Sequence, residues 1–408
     1  MTSFKAVLSV AVLAVVQALT VVSTQSAQAQ TYTVLHSFTG ETDGAEPFAR
    51  LIEDSAGNLY GTTSGGGNDS TCSSTIPPGC GVVFKLDANG NETVLHSFTG
   101  PPDGANPGFG LVRDMSGDLY GTAGGGEHIA ICYGGCGVVF RVDPRGNETV
   151  LYRFTGGADG AEPTGVLARD SAGNLYGTIL EGGVQKGIYG SGVVYKLDPS
   201  GKETVLYSFT GGADGGSPAA GVIRDPTGNL YGTGTQGGAF NEGIVFKVDT
   251  TGKETVLYSF TGRSDGGSSF APLIRDAAGN LYGTTQGGGT GYGVVFKLNT
   301  TGTETVLHTF TGGADGGGPE GAGVVQDAAG NLYGTTYAGG KCCGVVFKLD
   351  TTGTETVLHT FSGGEDGSDP GGGLLLNRSG TLYGITLFGG ILSDCSGFGC
   401  GVAFKLTP

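Results

Sequence analysis

Short apolar runs bounded by glycine, aspartate, asparagine or proline recur along this chain in sets of four. In one set they are Val222 to Arg224, Asn229 to Thr233, Ile244 to Val248 and Thr255 to Phe260. Each is short, rich in valine, isoleucine and aromatic residues, and closed by turn-forming residues, which is the pattern of a β-strand. Beyond the N-terminal segment no window spaces its apolar residues for a helix.

The set of four is itself repeated. TVLHSFTG, or a close variant, begins at Thr33, Thr93, Thr149, Thr204, Thr255, Thr305 and Thr356, at intervals of 60, 56, 55, 51, 50 and 51 residues. Each copy runs on through an Asp-Gly pair, an apolar run such as LIRD, then GNLYGT, a Gly-Gly with a variable insert, GVVFKLD and a turn ending in glycine. Four strands per copy and seven copies at this period predict an all-β, seven-bladed β-propeller with four-stranded blades. The chain ends with only three strands of the last copy, so Thr33 to Phe38 is expected to supply the fourth and leave no blade with an open edge. An open solenoid is the alternative, and it would call for distinct capping repeats.

Composition narrows the choice. Glycine makes up 84 of 408 residues, far above the usual ~7%, and each glycine costs a helix interior about 1 kcal/mol, which excludes a helical or α/β enzyme. The glycines keep no three-residue period, which excludes collagen, and 38% hydrophobic residues exclude simple disorder. Residues 1–29 read as a signal peptide, with Lys5, an apolar stretch from Ala6 to Val22 and the small-residue site Ala27-Gln28-Ala29. Residues 30–408 then form one propeller domain. A retained anchor is the lesser reading, because Ser9, Gln17 and Thr20 interrupt the stretch. The net charge is −16 with no cluster of Lys or Arg, which argues against nucleic acid or an anionic membrane as partner.

The unit TVLHSFTG…DG…AGNLYGTT…GG…GVVFKLD resembles the GloVer-type tandem repeat of secreted bacterial proteins. The likeness covers nearly all of the mature chain. It implies a propeller-like fold and export, and it implies no particular activity. Members of that group carry surface anchors, whereas this chain stops at Lys405-Leu406-Thr407-Pro408 directly after a strand, so a freely secreted or periplasmic protein is expected.

Most repeated residues have structural readings. The tyrosines of NLYG and its variants (Tyr60, Tyr120, Tyr176, Tyr231, Tyr282, Tyr333, Tyr383) are expected to pack between blades with the hydroxyl at a polar edge. The residue after TVL alternates between His and Tyr (His36, His96, Tyr152, Tyr207, Tyr258, His308, His359), which suits an outer-strand surface position better than a catalytic base. The LIRD aspartates Asp54, Asp114, Asp170, Asp225, Asp276 and Asp327, with Asn377 in the last copy, read as turn acceptors. The Asp-Gly series is open to two readings. Asp43, Asp103, Asp159, Asp214, Asp265, Asp315 and Asp366 are either turn residues or an axial acidic ring that attracts a cation, with Ca2+ the candidate, although no DxDxDG loop supports it.

Inserts after NLYGT measure 18, 14, 13, 9, 8, 8 and 15 residues from blade 1 to blade 7, so the long ones fall on blades 7, 1, 2 and 3, adjacent in a closed ring. Such loops on a rigid scaffold are where binding residues gather. Asp69, Glu127, His128, Tyr133, Glu181, Asp394 and Phe398 are the candidate ligand-binding residues there. All eight cysteines lie in inserts, and even pairs in an exported protein predict local disulfides 72–80, 132–136, 342–343 and 395–400, with metal ligation as the alternative and two free thiols as a further one for Cys342 and Cys343. No catalytic residue, resident metal or cofactor is assigned. The expectation is a monomeric, non-enzymatic binding or structural propeller recognising an extracellular glycan, protein or cell-surface component. A hydrolase or lyase acting on carbohydrate or lactone-like substrates is the alternative; it would need paired carboxylates or a metal near the axis. A quinone dehydrogenase is disfavoured by the absence of tryptophan.

Overall fold

A computed structural model describes residues 30–407 apart from 69–71, 73–77, 126–131, 133–134, 184–189, 320 and 322. The expected signal peptide lies outside the described residues. Seven antiparallel sheets follow one another along the chain. Blade 4 shows the pattern: Ile223–Arg224 innermost, then Leu230–Gly234, Ile244–Val248 and Glu254–Ser259 outermost. Its register pairs Tyr231 with Lys247 and Phe246 with Val256. In blade 1 the approach to the inner strand also pairs, as Ala45–Pro47 against Leu59–Gly65. The one helical turn among the described residues is a 3-10 turn at Cys395–Gly397, in an insert.

Every outer strand carries a bulge at the leucine of TVL; in blade 4 the register slips between Val245 and Phe246, so Leu257 is the extra residue opposite them. A bulge sharpens the local twist of its strand. The core is divided into wedges between neighbouring blades. One wedge joins Tyr176, Val194 and Phe209 of blade 3 to Val222, Leu230, Ile244 and Phe246 of blade 4. Phe209 meets Phe246 edge to face with centroids 5.0 Å apart, a contact that recurs around the ring. The Tyr-Gly glycine makes room for that ring: a Cβ on Gly232 would stand 2.6 Å from Phe246 Cζ. Blade 3 has Tyr195 in place of the phenylalanine, fully buried, with no hydrogen-bond partner for its hydroxyl among the described residues.

The ring closes as the repeat phase predicts. Blade 7 takes Leu375–Leu376, Leu382–Thr386 and Val402–Thr407 from the end of the chain and Thr31–Ser37 from the start, with Thr31 opposite Thr407 and Ser37 opposite Val402. Tyr32 stands where the other outer strands have glutamate. It stacks on His359 at 3.9 Å and donates its hydroxyl to the Asp366 carbonyl at 2.6 Å.

Candidate functional site

Strand alternation puts the inserts on the face where the Asp-Gly connections run, and backbone bridges such as Gly216 to Gln236 join the two. The four disulfides form as local pairs, Cys72–Cys80, Cys132–Cys136, Cys342–Cys343 and Cys395–Cys400, each within one insert. Asp69, Glu127, His128 and Tyr133 lie outside the described residues. Glu181 ends the second strand of blade 3, where burial and then Glu162 raise its pKa. Asp394 and Phe398 share the blade 7 insert: Gly399 donates to the Asp394 carbonyl at 3.2 Å, and Phe398 is exposed, tilted against Phe388 at 6.4 Å. Glu181 is therefore on a different blade from this pair.

The Asp-Gly carboxylates are held inside their own turns. Asp214 accepts from the Thr210 backbone N–H at 2.9 Å, from the Thr210 hydroxyl, and from the Tyr207 hydroxyl at 2.9 Å. Asp159 and Asp265 repeat this with Tyr152 and Tyr258, and Asp366 with His359 at 3.2 Å. Asp43, Asp103 and Asp315 face His36, His96 and His308 at 3.5, 3.5 and 3.6 Å. The His and Tyr residues are thus half-buried rather than surface groups. The bulge sets them in register against the next strand, as Tyr258 against Val245, with the polar end turned onto the aspartate.

A glutamate from the following blade closes six of these seven seams, and Tyr32 takes its place at the His359–Asp366 seam. Burial first, then the neighbouring aspartate, pushes Glu203, Glu254, Glu304 and Glu355 up to about 7. His36, Asp43 and Glu92 gather their ligand atoms within 4.8 Å of one another, the tightest such group among the described residues. Tyrosine replaces histidine at the equivalent Tyr152, Asp159 and Glu203, so the same grouping recurs where no metal set exists. The LIRD aspartates are turn acceptors, as expected. Burial alone would raise Asp54, yet hydrogen bonds from the Asn58 amide, Asn58 N–H, Tyr60 hydroxyl and Ala56 N–H outweigh it and hold its pKa at about 2.

The innermost segments of all seven blades bound a cavity of about 970 Å³ at the centre of the ring. None of the Asp-Gly aspartates lines it. Among the described residues its charged lining is Arg50, Arg113, Arg169, Arg224, Arg275 and Glu53. Four of these arginines precede the LIRD aspartate on blades 2 to 5. Each lies over the tyrosine of the blade before it: Arg113 over Tyr60, Arg169 over Tyr120, Arg224 over Tyr176 and Arg275 over Tyr231, at 5.4–5.9 Å. Arg169 also reaches Asp114 at 3.5 Å. Blades 6 and 7 have Gln326 and Leu376 at this position, and there Lys297 and Lys348 of the tyrosines' own blades cover Tyr282 and Tyr333. The arginines were missed because the repeat draws attention to the aspartate beside them; the signal was the change from Arg to Gln, Leu and Glu around the ring.

With the ring and its cavity in view, the class of protein is a seven-bladed β-propeller with a cationic axial cavity. The chain belongs to the Gloeobacter/Verrucomicrobia repeat family, which matches it over residues 20–186, 70–290 and 263–408. No curated protein matches it. Among solved structures it is similar to virginiamycin B lyase from Staphylococcus aureus, at 12% identity and TM-score 0.59, over 93% of this chain and 99% of that one. It is also similar to the extracellular domain of a one component system from B. thetaiotaomicron, at 11% identity and TM-score 0.51, over 92% of this chain and 40% of the other. A gluconolactonase from Xanthomonas campestris aligns at 17% identity and TM-score 0.44, over 78% and 89%. At these identities the likeness is one of fold.

Proposed function

We propose that this chain is an exported, non-enzymatic binding propeller, secreted or periplasmic, whose ligand enters the axial cavity from the insert-bearing face. The observation that carries this reading is the cavity's lining, in which, among the described residues, apolar side chains surround five arginines and one carboxylate, Glu53. Glycosidases work with two carboxyl groups about 5–10 Å apart. A lining with one carboxylate and many cations favours holding a ligand over proton transfer to and from it. Four disulfides, each inside one loop, support an oxidising compartment. No helix among the described residues is long and apolar enough to cross a membrane.

The long inserts of blades 7, 1, 2 and 3 supply the variable rim through which a glycan, peptide or small molecule is selected. The test pairs a glycan and peptide array with a turnover screen on polysaccharides, lactones and virginiamycin B, the last chosen from the name of one fold neighbour. Saturable binding without product is expected. Product formation from any of these substrates overturns the binding reading.

A further inference from the structure

The axial cavity contains side chains that break the sevenfold pattern at the one place where all seven blades meet. At the position of Arg50 the other six blades have Gly110, Val166, Gly221, Pro272, Gly323 and Gly373, so a single long cation enters where the repeat otherwise keeps the chain short or apolar. Phe48 and Phe270 are similarly unmatched by Gly108, Thr164, Ala219 and Gly371, and Phe109 stands one residue further along on blade 2. The glycines of blades 6 and 7 open the space that Phe48 leans into. A Cβ on Gly371 would come within 2.9 Å of its ring, and one on Gly321 within 3.3 Å.

Arg50 also differs from the other cavity arginines in its partners. Arg113, Arg169, Arg224 and Arg275 each lie over a tyrosine ring. Arg50 has no hydrogen bond, ion pair or aromatic face among the described residues, although burial is enough to depress its pKa. A partly buried guanidinium facing a cavity, with no counter-charge among the described residues, can pair with a bound anion through its N–H donors. The protein as a whole carries −16, so this cavity reverses the sign of its surroundings. Its volume falls in the range of small-molecule pockets.

We propose that Arg50 is the anion receptor of the axial cavity and that the ligand is an amphipathic organic anion, its carboxylate or sulfate on the guanidinium and its apolar body against Phe48, Phe109 and Phe270. The inference rests on the binding reading above and names the ligand class for it. The two fail separately, since turnover overturns the binding reading while charge-blind binding overturns the role of Arg50.

Titration calorimetry with 4-phenylbutyrate and its uncharged amide tests it on the full-length mature protein. The wild type is expected to prefer the carboxylate by about tenfold or more, in line with the strength of a charge-assisted pair, and to lose part of that preference as salt is raised. Arg50→Met is expected to bind both compounds alike, and Phe270→Ala to weaken both together. Equal affinities in the wild type overturn the proposal without any variant, which covers the case of an Arg50→Met protein that does not fold. A carboxylate preference that survives Arg50→Met, or no binding of either compound at millimolar concentration, also overturns it.

Discussion

The polar seams between blades make stability depend on pH in a direction opposite to that of most surface carboxylates. Glu203, Glu254, Glu304 and Glu355 rise from 4.5 to about 7 through burial and then the facing aspartate. Glu92 rises to the same value through burial, with His36 opposing and Asp43 adding. A carboxyl whose pKa is higher in the folded than in the unfolded chain holds its proton more tightly when folded. Its contribution is therefore fully present below pH 4.5 and is lost as pH rises through about 7. Unscreened, a shift of this size is worth about 3 kcal/mol per group. These side chains are half-exposed, so water leaves about a fifth of it, ~0.6 kcal/mol each and ~3 kcal/mol for five seams. With an unfolding entropy of about 2.1 cal/mol/K per residue, a propeller of this length loses about 4 °C in Tm between pH 5 and pH 8. Relief of the overall negative charge acts in the same direction on acidification, so the scan needs a control. Glu203→Gln, Glu254→Gln and Glu304→Gln combined should raise Tm at pH 8 in calorimetry, leave it unchanged at pH 5 and remove roughly three-fifths of the seam term. A variant whose Tm–pH curve runs parallel to that of the wild type would refute the reasoning. Below pH 4 the sign reverses, because Asp54, held at about 2, and its counterparts lose their bonds as they protonate.

Four further outcomes are expected. Tyr195→Phe should stabilise the fold by about 1 kcal/mol, since it removes a buried hydroxyl that has no partner among the described residues, and a lower Tm would show that the hydroxyl is satisfied. Gly232→Ala should cost about 1–3 kcal/mol by pressing on Phe246, read from urea unfolding; a neutral result would mean the wedge has slack. Deleting Thr31–Ser37 should lower Tm sharply and expose the edge of blade 7 to dye binding, and an unchanged melt would contradict ring closure. Reduction should lower Tm only slightly, because the disulfides close loops of eight residues or fewer, so a collapse of the melt on adding a phosphine reductant would place more of the fold's stability in the inserts than the blades imply.

The strands, their phase, the closing strand and the cysteine pairs were legible because each repeats with its own turn signals or sits alone with one partner in a loop. Tyr176 and Asp170 could be assigned to packing and turn from spacing alone, and the structure joins them by a 3.0 Å hydrogen bond. The seam was not legible. Glu203 in KETVL looks like an exposed strand residue, and its burial comes from a neighbouring blade about fifty residues away in the chain. The histidines and tyrosines after TVL look like surface residues for a similar reason, since alternation along a strand does not reveal a bulge. Arg50 could have been found by aligning the seven copies and asking which inner positions break the pattern, as the absence of a side chain at Gly110, Gly221 and Gly373 marks where the axis runs.

No covalent bond joins the two ends of the ring: every disulfide stays within one insert, and the circle is completed by a seven-residue strand lying along Val402–Thr407. Blade 7 recognises that strand by backbone pairing and blade 6 by the stacking of Tyr32 on His359, features that do not depend on which molecule supplies it. A copy whose first strand has come away presents an edge that the same strand of another copy fits. Warmed and concentrated protein would then pass strands between molecules, and the single ring would become one link in a chain of rings.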